Sequence, residues 1–415
     1  MPDLDEPDVI GGGRNRRPRH GRLAGSLEPR RWTLPAALLV AVLAVVVVHN
    51  RTVPPAPPTP VPSTTARPTF PPPKPHPALH DRVHDRILLG GDAISEYDAA
   101  TGRFTTLREL LSATGPSFAA TDLVSTTGAV IAFASPDCNS CDVAPRGEVL
   151  SVDPRSGAVR QIATAQGIAP AVAASGVWLV SGAGNPSGAS TEITLVDPSG
   201  AVEDRIPIGP HQLVRGTANG LLAEQMDAPT LQLLDIATGR PLIGVNGTAQ
   251  SAYAPLLAAS DDAAAWAQPD GGCQARCVYV SGYDGASPVQ VSLPAGLRAY
   301  GKPAGCAFSP DGSRLALVVA HLDAARETDG IEAVVVDLRD GTVEVVPNTL
   351  ISDGDGGDTT QLVAWSTGGD AVWVYESDVA VADAPALLGY WPMHGPLQVR
   401  DIPDREAHAM VVAPW

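Results

Sequence analysis

Short apolar runs, some alternating and some continuous, recur through residues 85–415, and turns rich in Asp, Asn, Ser and Gly separate them. Runs of a few residues bounded by such turns predict β-strands rather than helices. One phrase recurs seven times: an apolar run, an Asp or an aromatic residue, a Gly-bearing turn, and a second run. It stands at Tyr97–Gly102, Asp153–Gly157, Asp197–Gly200, Asp235–Gly239, Tyr283–Gly285, Asp337–Gly341 and, in degenerate form, Tyr390–Gly395. Asp accepts hydrogen bonds from the amides just ahead of it, and Gly takes positive φ, so each phrase predicts a hairpin turn. A second turn precedes most copies, at Thr127-Gly128, Ser175-Gly176, Asn219-Gly220, Asp311-Gly312 and Gly368-Gly369-Asp370.

Two hairpins per repeat give a four-stranded sheet. The copies are 38 to 55 residues apart, which is the period of one propeller blade. The predicted fold is therefore all-β, a seven-bladed β-propeller over residues 85–415, with six or eight blades as the alternatives. The first repeat has three strands from Arg86 onward, whereas His408–Trp415 has no partner of its own. The C-terminal run is thus expected to supply the inner strand of the first blade and close the ring.

Ala307-Phe308-Ser309-Pro310-Asp311-Gly312-Ser313-Arg314-Leu315-Ala316-Leu317 resembles the repeat of TolB-like and WD40-like bacterial propellers, and Ala364-Trp365-Ser366 to Trp373 is similar to a worn second copy. The resemblance covers about a dozen residues and implies the fold, with no partner chemistry attached. The Gly-His and Trp-Asp pairs of eukaryotic WD40 repeats are absent.

The first 84 residues read differently. Residues 32–48 are mostly apolar and just long enough to cross a bilayer. Seven Arg on their N-terminal side place residues 1–31 in the cytoplasm as a disordered tail, by the positive-inside rule. A cleavable signal peptide is the rival, but no small-x-small site ends the run. The expected layout is a cytoplasmic tail (1–31), a single-pass transmembrane helix in the cell membrane (32–49), a Pro/Thr-rich extracytoplasmic linker (50–84) and an extracytoplasmic propeller (85–415). Within residues 53–77, 12 of 25 positions are Pro, which favours an extended polyproline stalk.

Charge divides along the same boundary. The net charge of the 415 residues is −17, and residues 85–415 alone carry 17 basic against 39 acidic side chains. That balance excludes nucleic acid as a partner of the propeller, because phosphate contact needs a basic surface. Two Lys against 26 Arg, with abundant Ala, Gly and Pro, resembles the usage of high-GC bacteria such as actinobacteria.

Candidate chemistry is sparse. Outside the membrane, Cys138 and Cys141, and Cys273 and Cys277, are expected to form two local disulfides; a zinc site or a redox pair remains open for them. Cys306 is expected to be a buried free thiol. Asp353, Asp355 and Asp358 present three carboxylates on one loop and form a candidate calcium site. Position twelve of an EF-hand register would be Ala364, so a solvated acidic loop is the competing reading. His76, His80 and His84 recur every four residues, but Pro75 and Pro77 favour an exposed linker. No cofactor is expected. Trp178, Trp266, Trp365 and Trp373 are expected to pack between blades.

Long irregular segments collect on one face, at Leu110–Ala120, Asp137–Gly147, Gly182–Thr191, Pro269–Arg276, His321–Gly330, Leu350–Thr360 and Ser377–Pro385. Loops on rigid scaffolds carry specificity. The expectation is a non-catalytic binding or scaffolding module that holds a protein or small ligand on this face. A propeller enzyme of lyase, hydrolase or quinoprotein type and a single-pass envelope sensor are the alternatives. The four His of the domain, His211, His321, His394 and His408, are scattered over different repeats, which weakens the enzyme reading.

Overall fold

The computed structural model describes residues 84–110, 118–136, 146–181, 192–225, 230–244, 256–267, 276–283, 287–300, 305–322, 328–352, 359–378, 385–403 and 407–413. The predicted membrane span, and the Pro-rich linker apart from His84, lie outside them. Among the described residues, no helix is long and apolar enough to cross a membrane.

The described residues form seven antiparallel sheets, and all but the first take their strands in chain order from the inside outward. Blade 1 orders Ala409–Ala413, Arg86–Gly90, Ala93–Asp98 and Arg103–Glu109. Blade 2 has Phe118–Thr126, Ala129–Pro136, Gly147–Val152 and Val159–Ala165; blade 3 has Gly167–Pro170, Val177–Ser181, Glu192–Val196 and Val202–Pro207. Blade 4 is His211–Thr217, Gly220–Gln225, Leu231–Leu234 and Pro241–Gly244, and blade 5 is Leu256–Ala259, Ala263–Ala267, Cys277–Gly282 and Val289–Ser292. Blade 7 is Thr359–Trp365, Val372–Asp378, Ala386–Trp391 and Gln398–Ile402. In blade 6 the inner position is split between Leu297–Ala299 and Cys306–Phe308, which both pair with Arg314–Leu322. Thr328–Asp337 follows, with Val343–Val345 and the short Ile351–Ser352 side by side on its far edge.

The expected closure is present. Ala409–Ala413 pairs along the full length of Arg86–Gly90. Seven separate apolar clusters fill the seven seams between neighbouring blades. The blade 7 to blade 1 seam, for example, joins Leu362, Trp373 and Tyr375 to Ile87, Leu89 and Tyr97. Successive residues of a strand face opposite seams, because side chains alternate across a sheet. Val130, Ala132 and Ala134 pack toward blade 1, while Ile131 and Phe133 pack toward blade 3. Both faces are covered, which explains why the middle strands read as continuous apolar runs. The four Trp expected to pack between blades are buried.

The recurrent phrase folds as its chemistry predicts. Asp98 Oδ1 accepts from the amides of Ala100 and Thr101, and Asp235 Oδ1 from those of Ala237 and Thr238. The glycine closing each turn donates back to the Asp carbonyl, at 2.8 Å for Gly102 and 2.7 Å for Gly239. The two resembling segments share one turn. Ser309 Oγ accepts from Arg314 N and donates to Asp311, just as Ser366 Oγ accepts from Ala371 N and donates to Asp370.

Some expected loops are shorter than the sequence suggests. Pairing of His321 with Gly330 and Leu322 with Thr328 carries the hairpin into the segment read as irregular. Likewise Phe118–Ala120 already belongs to the inner strand of blade 2, because backbone groups next to an open sheet edge continue its ladder.

The central channel as candidate binding site

Inner strands converge on a channel of about 870 Å³, and every blade contributes lining residues. Three inner strands are bulged where they line it. The pairing register slips between Ala120 and Asp122 in blade 2, between Leu213 and Arg215 in blade 4, and between Leu256 and Ala258 in blade 5. A bulge inserts one residue and re-aims the side chains beside it. Two of the three bulges present a charged residue, Asp122 and Arg215, to the channel.

Arg215 is paired across the blade boundary. Its Nε and Nη2 donate to Asp261 Oδ1 at 3.1 and 2.8 Å, linking blades 4 and 5. Asp261 Oδ2 also accepts from Ala173 N in the turn of blade 3. That turn is a single 3-10 turn, Val172–Ala174, with Ala173 and Ala174 at φ 51° and 55°. Left-handed Ala costs about 1–2 kcal/mol per residue. The turn is held from both sides, by Asp261 and by Thr127 N donating to Ala174 O.

Asp122 stands in contrast. Among the described residues its carboxylate accepts only from Thr121 Oγ1, at 3.3 Å. The residue is exposed, yet the protein around it raises its carboxyl above the ordinary range, with the Thr121 bond opposing weakly.

A buried polar group lies behind the wall. Gln361 lines the channel, and its Nε2 donates to Thr349 O and to Glu376 Oε1, both at 2.8 Å. Two acceptors on Nε2 fix the amide orientation and leave Oε1 without a donor among the described residues. Burial pushes the Glu376 carboxyl up to about 8, against the lowering effect of the Gln361 bond. At neutral pH this favours the protonated form of Glu376.

The sequence-derived candidates fare unevenly. Asp353, Asp355, Asp358, Cys138, Cys141 and Cys273 lie outside the described residues, as do His76, His80 and most of the long-loop face. Cys277 is buried at the start of its strand and disulfide-bonded. Cys306 is free, as expected, but only half-buried, because its short inner strand lines the channel; desolvation still pushes its thiol up. His84 is exposed. Among the described residues no group of three His, Cys, Asp or Glu is placed to hold a metal ion.

The four His are separated as their positions suggest. His211 bonds Ile208 O and Gln232 Oε1, His321 pairs with Glu332 at 2.6 Å, His394 pairs with Glu344, and His408 alone lines the channel. Asp122, Arg215 and Gln361 were not legible as site residues. Their one signal was a polar side chain inside an inner-strand pattern.

Seven sheets, seven filled seams and a shared channel decide the architecture. The fold is a seven-bladed β-propeller. No protein-family model matches the sequence, and no curated protein does. Among solved structures, a prolyl endopeptidase matches at 11% identity and a TM-score of 0.50, over 78% of this chain and 50% of that one. The β-propeller domain of the Trilobed protease from Pyrococcus furiosus matches at 10% identity and 0.48, over 80% and 100%. TolB from Acinetobacter baumannii matches at 13% and 0.41, over 80% and 67%. The propeller thus spans half the length of the endopeptidase it matches, and at these identities the likeness concerns the fold.

Proposed function

We propose that this chain is a membrane-anchored, extracytoplasmic propeller that acts as a non-catalytic binding or scaffolding module. The observation that carries the reading is the channel. A cavity of this size falls within the ~300–1,000 Å³ of small-ligand sites, and it is walled by rigid strands from every blade. The span at residues 32–49 would tether it to the membrane, and the linker at 50–84 would hold it clear of the bilayer. The long-loop face is the proposed protein-contacting surface. Acidic residues dominate the domain, which favours basic or cationic partners over nucleic acid.

The test is crosslinking of the full-length protein in intact cells, with partners and crosslinked positions identified by mass spectrometry. Recurrent crosslinks at the loop segments or channel mouth are the expected result. Turnover of a substrate by the purified protein, with no mapped crosslinks, would favour the enzyme reading instead. An extracytoplasmic setting also predicts that Cys138 is joined to Cys141 and Cys273 to Cys277. Non-reducing peptide mapping checks this, and free thiols at these positions would place the domain in a reducing compartment.

A further inference from the structure

The channel wall has a definite chemical character, which narrows what it can hold. Leu123, Val214, Leu256, Phe308, Met410 and Val412 line the cavity and are half-buried. Apolar groups on five different blades therefore border the same cavity, and an apolar body placed there would remove their exposed surface from water. The charged lining residues are Asp122, Arg215, Asp261, Asp262 and His408. Arg215 is neutralised by its bonds to Asp261. The wall is left with uncompensated carboxylates and no free Arg or Lys among the described residues, which disfavours carboxylate and phosphate ligands.

Asp122 is set apart from the other carboxylates by position. Asp261 is bound on both oxygens, and Asp262, exposed like Asp122, sits in the turn after the inner strand of blade 5 rather than within a strand. Asp122 lies within a strand, at a bulge, with one weak hydroxyl donor and a desolvating surround. A carboxylate so placed lacks N–H donors and a positive charge, and both would come from an ammonium group.

We propose that the channel binds a small organic cation, a protonated amine carried on an apolar body, with Asp122 as its counter-ion. This assignment rests on the reading of the channel as a binding site and specifies its ligand class.

Calorimetric titration of the full-length protein with 2-phenylethylammonium, its neutral isostere 2-phenylethanol, the anion 3-phenylpropanoate and calcium ion tests it. The amine is expected to bind about 10-fold or more tightly than the alcohol, with the anion weaker still. Asp122→Asn should abolish that preference, whereas Asp204→Asn, on the outer strand of blade 3, should leave it unchanged. Thermal melts of both variants establish that they are folded. Equal binding of alcohol and amine, or an unaltered preference in the Asp122 variant, would overturn the counter-ion role while leaving the channel a binding site. Calcium binding in place of the amine, or no binding by any probe, would also overturn it. The crosslinking result stands independently of each outcome.

Discussion

Single residues in this protein do two jobs where the repeat is tightest. Gly239 has φ 65°, and a Cβ there would run into the Pro207 carbonyl at the end of the preceding blade's outer strand. Gly312 has a similar φ of 68° but open space around it. Both pay the left-handed cost on substitution, and only one also meets backbone. Gly312→Ala is expected to cost about 1 kcal/mol and Gly239→Ala more than about 2 kcal/mol, measured by urea unfolding. The sequence marks both as turn glycines. It cannot separate them, because the second constraint comes from a different blade.

Glu376 illustrates a residue-scale property that needs the fold. It lies opposite Gln361 in the strand register, in a seam with no compensating cation, so burial dominates its titration. Its carboxyl is raised from 4.5 to about 8. A raised carboxyl contributes stability that is complete below its unfolded value and is lost as pH rises through its folded value. Between about pH 5 and pH 8 wild-type stability should therefore fall relative to Glu376→Gln, by a few kcal/mol in all. Parallel unfolding curves across that range would show instead that the carboxyl is ionised throughout.

At the scale of elements, hairpins and their order were readable because Asp, Ser and Gly fix turns through local hydrogen bonds. A turn without glycine was missed. The first turn of blade 5, Ser260-Asp261-Asp262, is held locally by Ser260 Oγ, which accepts from the amides of Asp262 and Ala263, and from elsewhere by Tyr283 Oη donating to the carbonyls of Ser260 and Ala263. Channel bulges were invisible for a related reason. One inserted residue changes which face a side chain takes without altering the composition of the strand. Seams depend on comparably distant contacts. Buried Asp85 accepts from Thr367 N and Oγ1 through Oδ1 and from Trp373 Nε1 through Oδ2, tying the entry to blade 1 onto blade 7. Asp85→Ala leaves the indole donor unpaired and should cost about 2–3 kcal/mol in a chemical melt. A change under about 0.5 kcal/mol would mean that the apolar seam alone holds these blades together.

For the whole molecule, closure is the property that no single repeat contains. Deleting residues 409–413 removes the inner strand of blade 1 and exposes the Arg86–Gly90 edge. The shortened chain should lose its cooperative thermal transition and bind hydrophobic dyes, and a sharp transition near the wild-type temperature would refute the closure role. The blade count, by contrast, was accessible from spacing alone, since each blade repeats one local solution. What the repeat does not encode is the chemistry at the axis. Asp122, Arg215 and Gln361 stand on three different blades and outside the recurrent turn phrase.

Closure also sets an order of events. Asp85 and Thr367 are 282 residues apart in the chain, and the strand that completes blade 1 comes later still. Six blades can form from neighbouring segments as the polypeptide emerges, but the first must wait with one bare edge. During that interval Arg86–Gly90 is an unguarded template for other strands. The long loop to be closed makes the wait slow relative to hairpin formation. A nascent chain stalled before residue 409 should therefore be the species most prone to clump, and one that a chaperone or protease would meet first.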